Sequence, residues 1–274
     1  MIVVALMAGL AHKTGYGMLD ATKSIMDKGT TFRIVLLAVV GAVLLPSPLF
    51  AGPPYITDDP EPVEYQHWEF YLATQHELTR DVATGTAPHI EINYGAVPNL
   101  QLHLIAPLAY ARPSGGGTSY GPGDIELGAK FRFVQESGWI PMVGTFPLVE
   151  IPTGNETKGL GSGHLHGLLP LWLQKSVGPW TSYGGGGYWF NPGSGNRGYA
   201  YVGWQIQRHL SELATLGTEI FYTTADHSGG SGNLRFNVGL ILDFTQNHHL
   251  LASAGRSIAG ETRLQGYFAY QLTL

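Results

Sequence analysis

The sequence predicts an all-β chain: a transmembrane, antiparallel, up-and-down β-barrel of about twelve strands. Three observations predict it. Segments of about ten residues with alternating apolar and polar side chains recur from residue 64 to the C-terminus, the length and pattern with which a tilted strand crosses a bilayer. The stretches between them read as alternately long and short, as the outer loops and periplasmic turns of a barrel do. The composition, 38 Gly and only 13% charged residues in 274 positions, suits a strand-rich chain with many turns better than a soluble helical one. No apolar run long enough for a spanning helix occurs beyond residue 51. A barrel accounts for this, because lumen-facing residues dilute the lipid-facing ones in any window.

The chain opens on a leader. Ile34 to Leu45 is a run of twelve apolar or Gly residues, preceded by Lys28 and Arg33 and followed by Pro46-Ser-Pro-Leu-Phe-Ala51. Residues 26–51 therefore read as a secretory signal cleaved after Ala51. Residues 1–25 lie outside that pattern and are expected to be an upstream extension, with translation starting at Met26. Without residues 1–51 the chain loses Lys13, Lys23, Lys28, Arg33, Asp20 and Asp27, leaving 11 basic and 18 acidic residues, a net charge of −7. That balance gives no ground for nucleic acid as a partner. The absence of Cys excludes disulfides, thiol nucleophiles and Cys-bound metal.

Residues 52–63 carry four prolines and three acidic residues, so the segment is expected to be extended and unpaired on the periplasmic side, placed to fold into the barrel mouth as a plug. The barrel itself is expected over 64–274. Its first strand, within 64–77, sets Trp68, Phe70 and Leu72 against His67, Glu69 and Tyr71. Runs follow at 86–96, 99–111 and 123–135, the last with Ile125, Leu127, Ala129, Phe131 and Phe133 opposing Asp124, Glu126, Lys130 and Arg132. The run at 139–151 is apolar on both faces. At 164–175, Leu165, Leu169, Leu171 and Leu173 oppose His164, His166, Trp172 and Gln174. The run at 180–190 contains Gly184 to Gly187, which predicts a bulky neighbour. Runs at 198–207, 212–224, 233–245, 249–257 and 264–274 complete the twelve. In the last, Leu264, Gly266, Phe268, Tyr270, Leu272 and Leu274 share one face.

The connections are read as long at 78–85, 112–122, 152–163, 191–197 and 225–232, short at 97–98, 136–138, 176–179, 208–211 and 246–248, and intermediate at 258–263. An even strand number puts both termini on the periplasmic side. A soluble sandwich would also offer many short strands, but its polar face looks outward and its loops need not alternate.

The chain resembles the phenol-degradation meta-pathway family of outer-membrane transporters. The likeness is carried by Pro54-Tyr-Ile-Thr-Asp-Asp-Pro-Glu-Pro62, Gly123-Asp-Ile-Glu-Leu-Gly-Ala-Lys-Phe-Arg-Phe133, Glu150-Ile-Pro-Thr-Gly154 with Gly159-Leu-Gly-Ser-Gly163, Leu216-Gly-Thr-Glu-Ile220 and His248-His-Leu-Leu-Ala-Ser-Ala-Gly-Arg256. It implies a barrel in the bacterial outer membrane with a role in transport. It carries over neither a solute nor a catalytic residue. One departure is Leu274, where barrels generally end in Phe or Trp.

Alternation points Glu69, Glu91, Asp124, Glu126, Lys130, Arg132, Glu219, Arg235, Asp243 and Arg263 into the lumen. These six acids and four bases either line a hydrophilic pathway or pair and close it. The expected function is a narrow channel that passes small solutes, aromatic or other small organic compounds among them, by passive diffusion with weak cation bias. Its partners are outer-membrane lipid and lipopolysaccharide, the barrel-assembly machinery and the solute. A closed structural or surface-interaction barrel is the alternative. A third reading, a membrane-embedded hydrolase, would use Ser162 with His164 and His166, or Asp226 with His227, but neither cluster shows a recognised motif. His164 with His166, or His248 with His249, could chelate a metal only with a further ligand, and His248-His249 is expected in a turn. No cofactor, metal or catalytic residue is expected.

Overall fold

A computed structural model describes residues 53–274; the signal and the upstream extension lie outside the described residues. Fourteen strand segments fill twelve positions around a closed antiparallel ring. They are β1 (Trp68–Leu78), β2 (Val82–Val97), β3 (Leu100–Pro113), β4 (Ser119–Pro122), β5 (Ile125–Val134), β6 (Met142–Thr145), β7 (Leu148–Ile151), β8 (His166–Val177), β9 (Trp180–Phe190), β10 (Tyr199–His209), β11 (Ala214–Thr223), β12 (Asn233–Asp243), β13 (His248–Ala259) and β14 (Leu264–Thr273). Each of the twelve positions pairs with the next along the chain, and β1 pairs with β14 from Glu69–Thr273 to Leu78–Leu264, which closes the ring.

The two surplus segments come from interruptions. β4 pairs with the outer part of β3 (Leu108–Ala111) and β5 with its inner part (Leu100–Ile105), so β4 and β5 share one position, broken at Gly123-Asp124. β6 and β7 share another between β5 and β8, broken at Phe146-Pro147. A proline has no N–H for the ladder. The Pro147 carbonyl still accepts from Ala129 N at 3.1 Å, and Phe146 is buried. This explains a run that is apolar on both faces.

The surface is inverted relative to a soluble protein. On β10, Trp204 and Ile206 are 53% and 42% exposed while Gln205 and Gln207 between and beside them are 0% and 1%. On β11, Leu216 and Ile220 are exposed whereas Thr215, Glu219 and Phe221 are buried. Exposed apolar side chains alternating with buried polar ones around a closed ring put the apolar band against acyl chains. Gly184 to Gly187 in β9 have bulky neighbours, as expected: a Cβ on Gly184 would meet the Trp204 ring at 2.6 Å, and one on Gly185 the Trp172 ring at 3.0 Å.

The connections differ from the expected alternation. Long loops at 152–165, 191–198 and 224–232 share one rim, but the β1–β2 connection is only 79–81, 114–118 separates β3 from β4, and 260–263 is short. On the opposite rim, 135–141 is longer than expected. Residues 82–85 look loop-like in sequence, yet they pair as strand because the Thr79 side chain closes the turn, accepting from Val82 N at 3.2 Å. His248 and His249 open β13 instead of lying in a turn.

Candidate functional site

The rim carrying Trp68 and Leu274, where the even strand count brings both ends of the barrel together and which is expected to be periplasmic, opens into a lumen that residues 54–63 cross. Their backbone forms no ladder with the wall. Inward side chains of the strands hold it instead. The Glu219 carboxylate on β11 accepts from Ile56 N at 2.9 Å and Thr57 N at 2.7 Å, and also from the Asn237 amide. Gln101 on β3 accepts from Val63 N at 2.8 Å, and Ser253 on β13 donates to the Pro54 carbonyl at 2.6 Å. The Tyr55 hydroxyl donates to the Gly239 carbonyl at 3.1 Å. These anchors lie on opposite sides of the ring, so the segment runs from wall to wall.

Acidic residues of the segment meet bases of the barrel. Lys130 on β5, buried, donates to Asp58 at 2.9 Å and to fully buried Asp59 at 3.3 Å. Glu61 accepts from the Gln174 amide at 2.8 Å, with Arg132 at 4.0 Å. Burial pushes the Asp59 and Glu61 carboxyls above the ordinary carboxylate range, while Lys130 and, for Glu61, Arg132 pull them back. Burial likewise pushes the Tyr55 phenol up.

Glycines on the wall leave room for this segment. A Cβ on Gly239 would sit 2.6 Å from the Tyr55 ring, and one on Gly217 would collide with the Tyr55 hydroxyl. Gly217 and Gly239 are direct partners across β11 and β12. Together they form a shallow bay without side chains, in which the tyrosine is seated.

Beside the segment and on toward the outer rim the lumen wall is polar. His103 lies between Asn93, 2.6 Å from Nδ1, and Glu126, 2.9 Å from Nε2, and Asn93 donates to Glu91 at 2.9 Å. Glu150 accepts from His166 Nδ1 at 3.3 Å, and His166 Nε2 faces His164 Nε2 at 2.8 Å. A cavity of about 530 Å³ opens there, bordered by His164, His166, Asn191, Asn196, Asp226 and His227.

The predicted lumen residues divide into groups. Lys130 and Glu219 hold the segment, and Arg132 binds Asn99 at 3.0 and 2.8 Å. Glu69 is buried and accepts from Tyr71 at 2.7 Å, Arg235 lies 3.5 Å from Glu77 and stacks on Phe221, and Asp243 pairs with His249 at 2.7 Å. Asp124 serves the 152–165 loop, accepting from Gly154 N at 2.8 Å and from Ser162 N and Oγ at 2.7 and 2.8 Å. Arg263 departs from the expected placement: it is exposed in the β13–β14 turn, beyond the strand whose alternation would have pointed it inward. The expected lumen set, confined to charged residues, left out Gln101, Gln174, Asn237 and Ser253, uncharged groups at inward positions. Alternation marks those positions, but nothing marks which of them bind another part of the chain.

The other candidate sites come apart. Ser162 Oγ lies 2.8 Å from Asp124 and 2.7 Å from the His164 carbonyl, which share its single proton, and it forms no hydrogen bond to an imidazole that could act as a base. Asp226 and His227 form a 2.6 Å pair, each side chain 61% exposed. His248 and His249 point to opposite faces, toward Tyr270 outside and Asp243 inside, so they cannot share a metal. No group of three or more His, Asp or Glu side chains suited to a metal ion occurs among the described residues.

No family model and no curated protein matches the chain. Solved structures do. An outer-membrane channel from Pseudomonas putida F1 superposes with a TM-score of 0.68 at 15% identity, covering 82% of this chain and 100% of the channel. The fold is that of an outer-membrane barrel. The KdgM porin (TM-score 0.50, 13% identity, 74% of this chain and 98% of the porin) and the translocator domain of the autotransporter NalP from Neisseria meningitidis (0.50, 13%, 77% and 89%) share the architecture at greater distance. At such identities the likeness speaks for the fold alone; with the inverted surface, it places the chain in the bacterial outer membrane.

Proposed function

We propose that the barrel is a channel passing small solutes by passive diffusion, aromatic or other small organic compounds among them, and that residues 53–63 are its plug. The observation that carries this reading is the attachment of the segment. It fills the periplasmic half of the lumen through side-chain contacts to separate strands, not by adding a strand to the sheet, so it can leave without opening the ring. Glu126 and Glu150 on the outer half of the wall favour cations weakly once the path is open. The solved channel and porin with this architecture support the reading at the level of fold.

Planar-bilayer recording tests it. The intact protein is expected to show small or rare conductance steps, and the protein lacking residues 53–63 large and frequent ones. Absence of steps in both removes the channel reading. In that case the closed structural barrel stands, the reading favoured by the interior pairing of Lys130 with Asp58 and Asp59 and of Arg235 with Glu77.

A further inference from the structure

One stretch of the outer rim carries four arginines, although the whole chain has a net charge of −5. Arg112 on β3 and Arg256 on β13 are exposed on the lipid-facing side, and Arg80 and Arg263 are exposed in the turns just beyond it. The register ties them together. Arg112 pairs with Ala83, Ala83 with Leu78 and Leu78 with Leu264. One step past the Gly255–Gln265 pair, the same row reaches Arg256. A single row therefore reads Arg, Ala, Leu, Leu, Arg across five strands. At about 4.8 Å per strand the two arginines stand roughly 19 Å apart.

One row nearer the membrane centre, His76 Nδ1 meets the Tyr110 hydroxyl at 2.8 Å across Gly85, whose Cβ would lie 2.9 Å from the tyrosine ring. A polar aromatic pair below the arginines marks the depth of the headgroups. Asp81 and Glu261 are the acids in the same turns, and none of the four arginines forms an ion pair among the described residues. Glu77 is turned inward to Arg235 and Thr262 and does not neutralise them.

We propose that this row is a binding site for the phosphorylated glycolipid of the outer leaflet, lipid A of lipopolysaccharide. Its phosphates sit between the arginines, whose planar forks take phosphate oxygens two at a time. Its acyl chains descend over Leu78, Leu264 and Ala83. A free anion would use the charges but not the apolar row between them.

Native mass spectrometry of protein purified from outer membranes, titrated with bisphosphorylated lipid A, tests the proposal. A specific adduct is expected that dephosphorylated lipid A does not form and excess inorganic phosphate does not displace. Arg112→Gln with Arg256→Gln should weaken it at least about tenfold, and Arg197→Gln, in the 191–198 loop, should leave it unchanged. Equal binding of dephosphorylated lipid A, displacement by inorganic phosphate or unchanged binding in the double variant overturns the site. Compact migration on unheated gels reports assembly. If the double variant fails to assemble, Arg80→Gln with Arg263→Gln, both outside the strands, carries the same expectation.

Discussion

The periplasmic and outer halves of the lumen are built from the same strands with the same alternation, yet they are filled differently. The periplasmic half presents Glu219, Lys130, Gln101 and Ser253 to the chain's own N-terminal segment and sets glycines opposite its tyrosine. The outer half presents Glu126, Glu150 and His166, which pair within the wall, and His166 borders the open cavity at that end. Polarity alone does not distinguish a conducting wall from an occupied one. What distinguishes them is whether the inward donors and acceptors are matched within the wall or with a separate piece of chain.

Removing the segment should have the largest effect, because it abolishes the difference between the halves: conductance after deletion of residues 53–63 should rise to that of an open polar tube. Next comes Lys130→Met. Leaving Asp58 and Asp59 in the lumen without their base costs about 3–5 kcal/mol, enough to undock the segment, and bilayer recording should show an open channel with the barrel's heat-modifiable gel migration intact. Glu219→Ala removes charge-assisted bonds to two backbone amides, each worth about 1.5–3 kcal/mol. It should raise open probability at least about tenfold, whereas Glu150→Ala in the outer half should change ion selectivity and leave open probability alone. Equal effects of these two substitutions would erase the proposed contrast.

A Gly239→Val variant asks whether shape as well as charge seats the segment. The added side chain displaces the Tyr55 ring, and limited proteolysis should then cut within residues 53–63 where the native protein resists. The smallest effect is on pH. Burial raises the Glu61 carboxyl from its ordinary 4.5, so the docked state holds a proton that the released segment gives up. Docking therefore strengthens as pH falls through the raised value and weakens as pH rises through it. Conductance should drop on acidification toward the carboxylate range, and Glu61→Gln should reduce that dependence, the remainder being carried by Asp59, which burial raises as well.

Much of the barrel was legible because a period of two, repeated twelve times, is a redundant signal: Trp204 and Ile220 could only face one way if Gln205 and Glu219 faced the other. Legibility failed where the period lapses. Phe146-Pro147 breaks a strand that reads as one run, and Val82–Gly85 continues a strand through small residues without contrast between faces. The location of the segment was only partly legible. Its prolines exclude a central strand, but Glu219 looks in sequence like any other lumen acid, and nothing local says that its partners are the amides of Ile56 and Thr57, more than 160 positions away. Gly217 and Gly239 look like weak points of their strands until Tyr55 is seen to need the space.

The side-chain-free bay at Gly217 and Gly239 makes the stopper and its socket separable parts. A synthetic peptide with the sequence of residues 53–63, supplied to a truncated barrel from the side that carries both termini, should restore closure from solution. The same peptide with Tyr55 replaced by alanine leaves the bay unfilled and should block poorly. If the proposed plug role holds, the blocker is encoded in the eleven residues that the strand alternation does not reach.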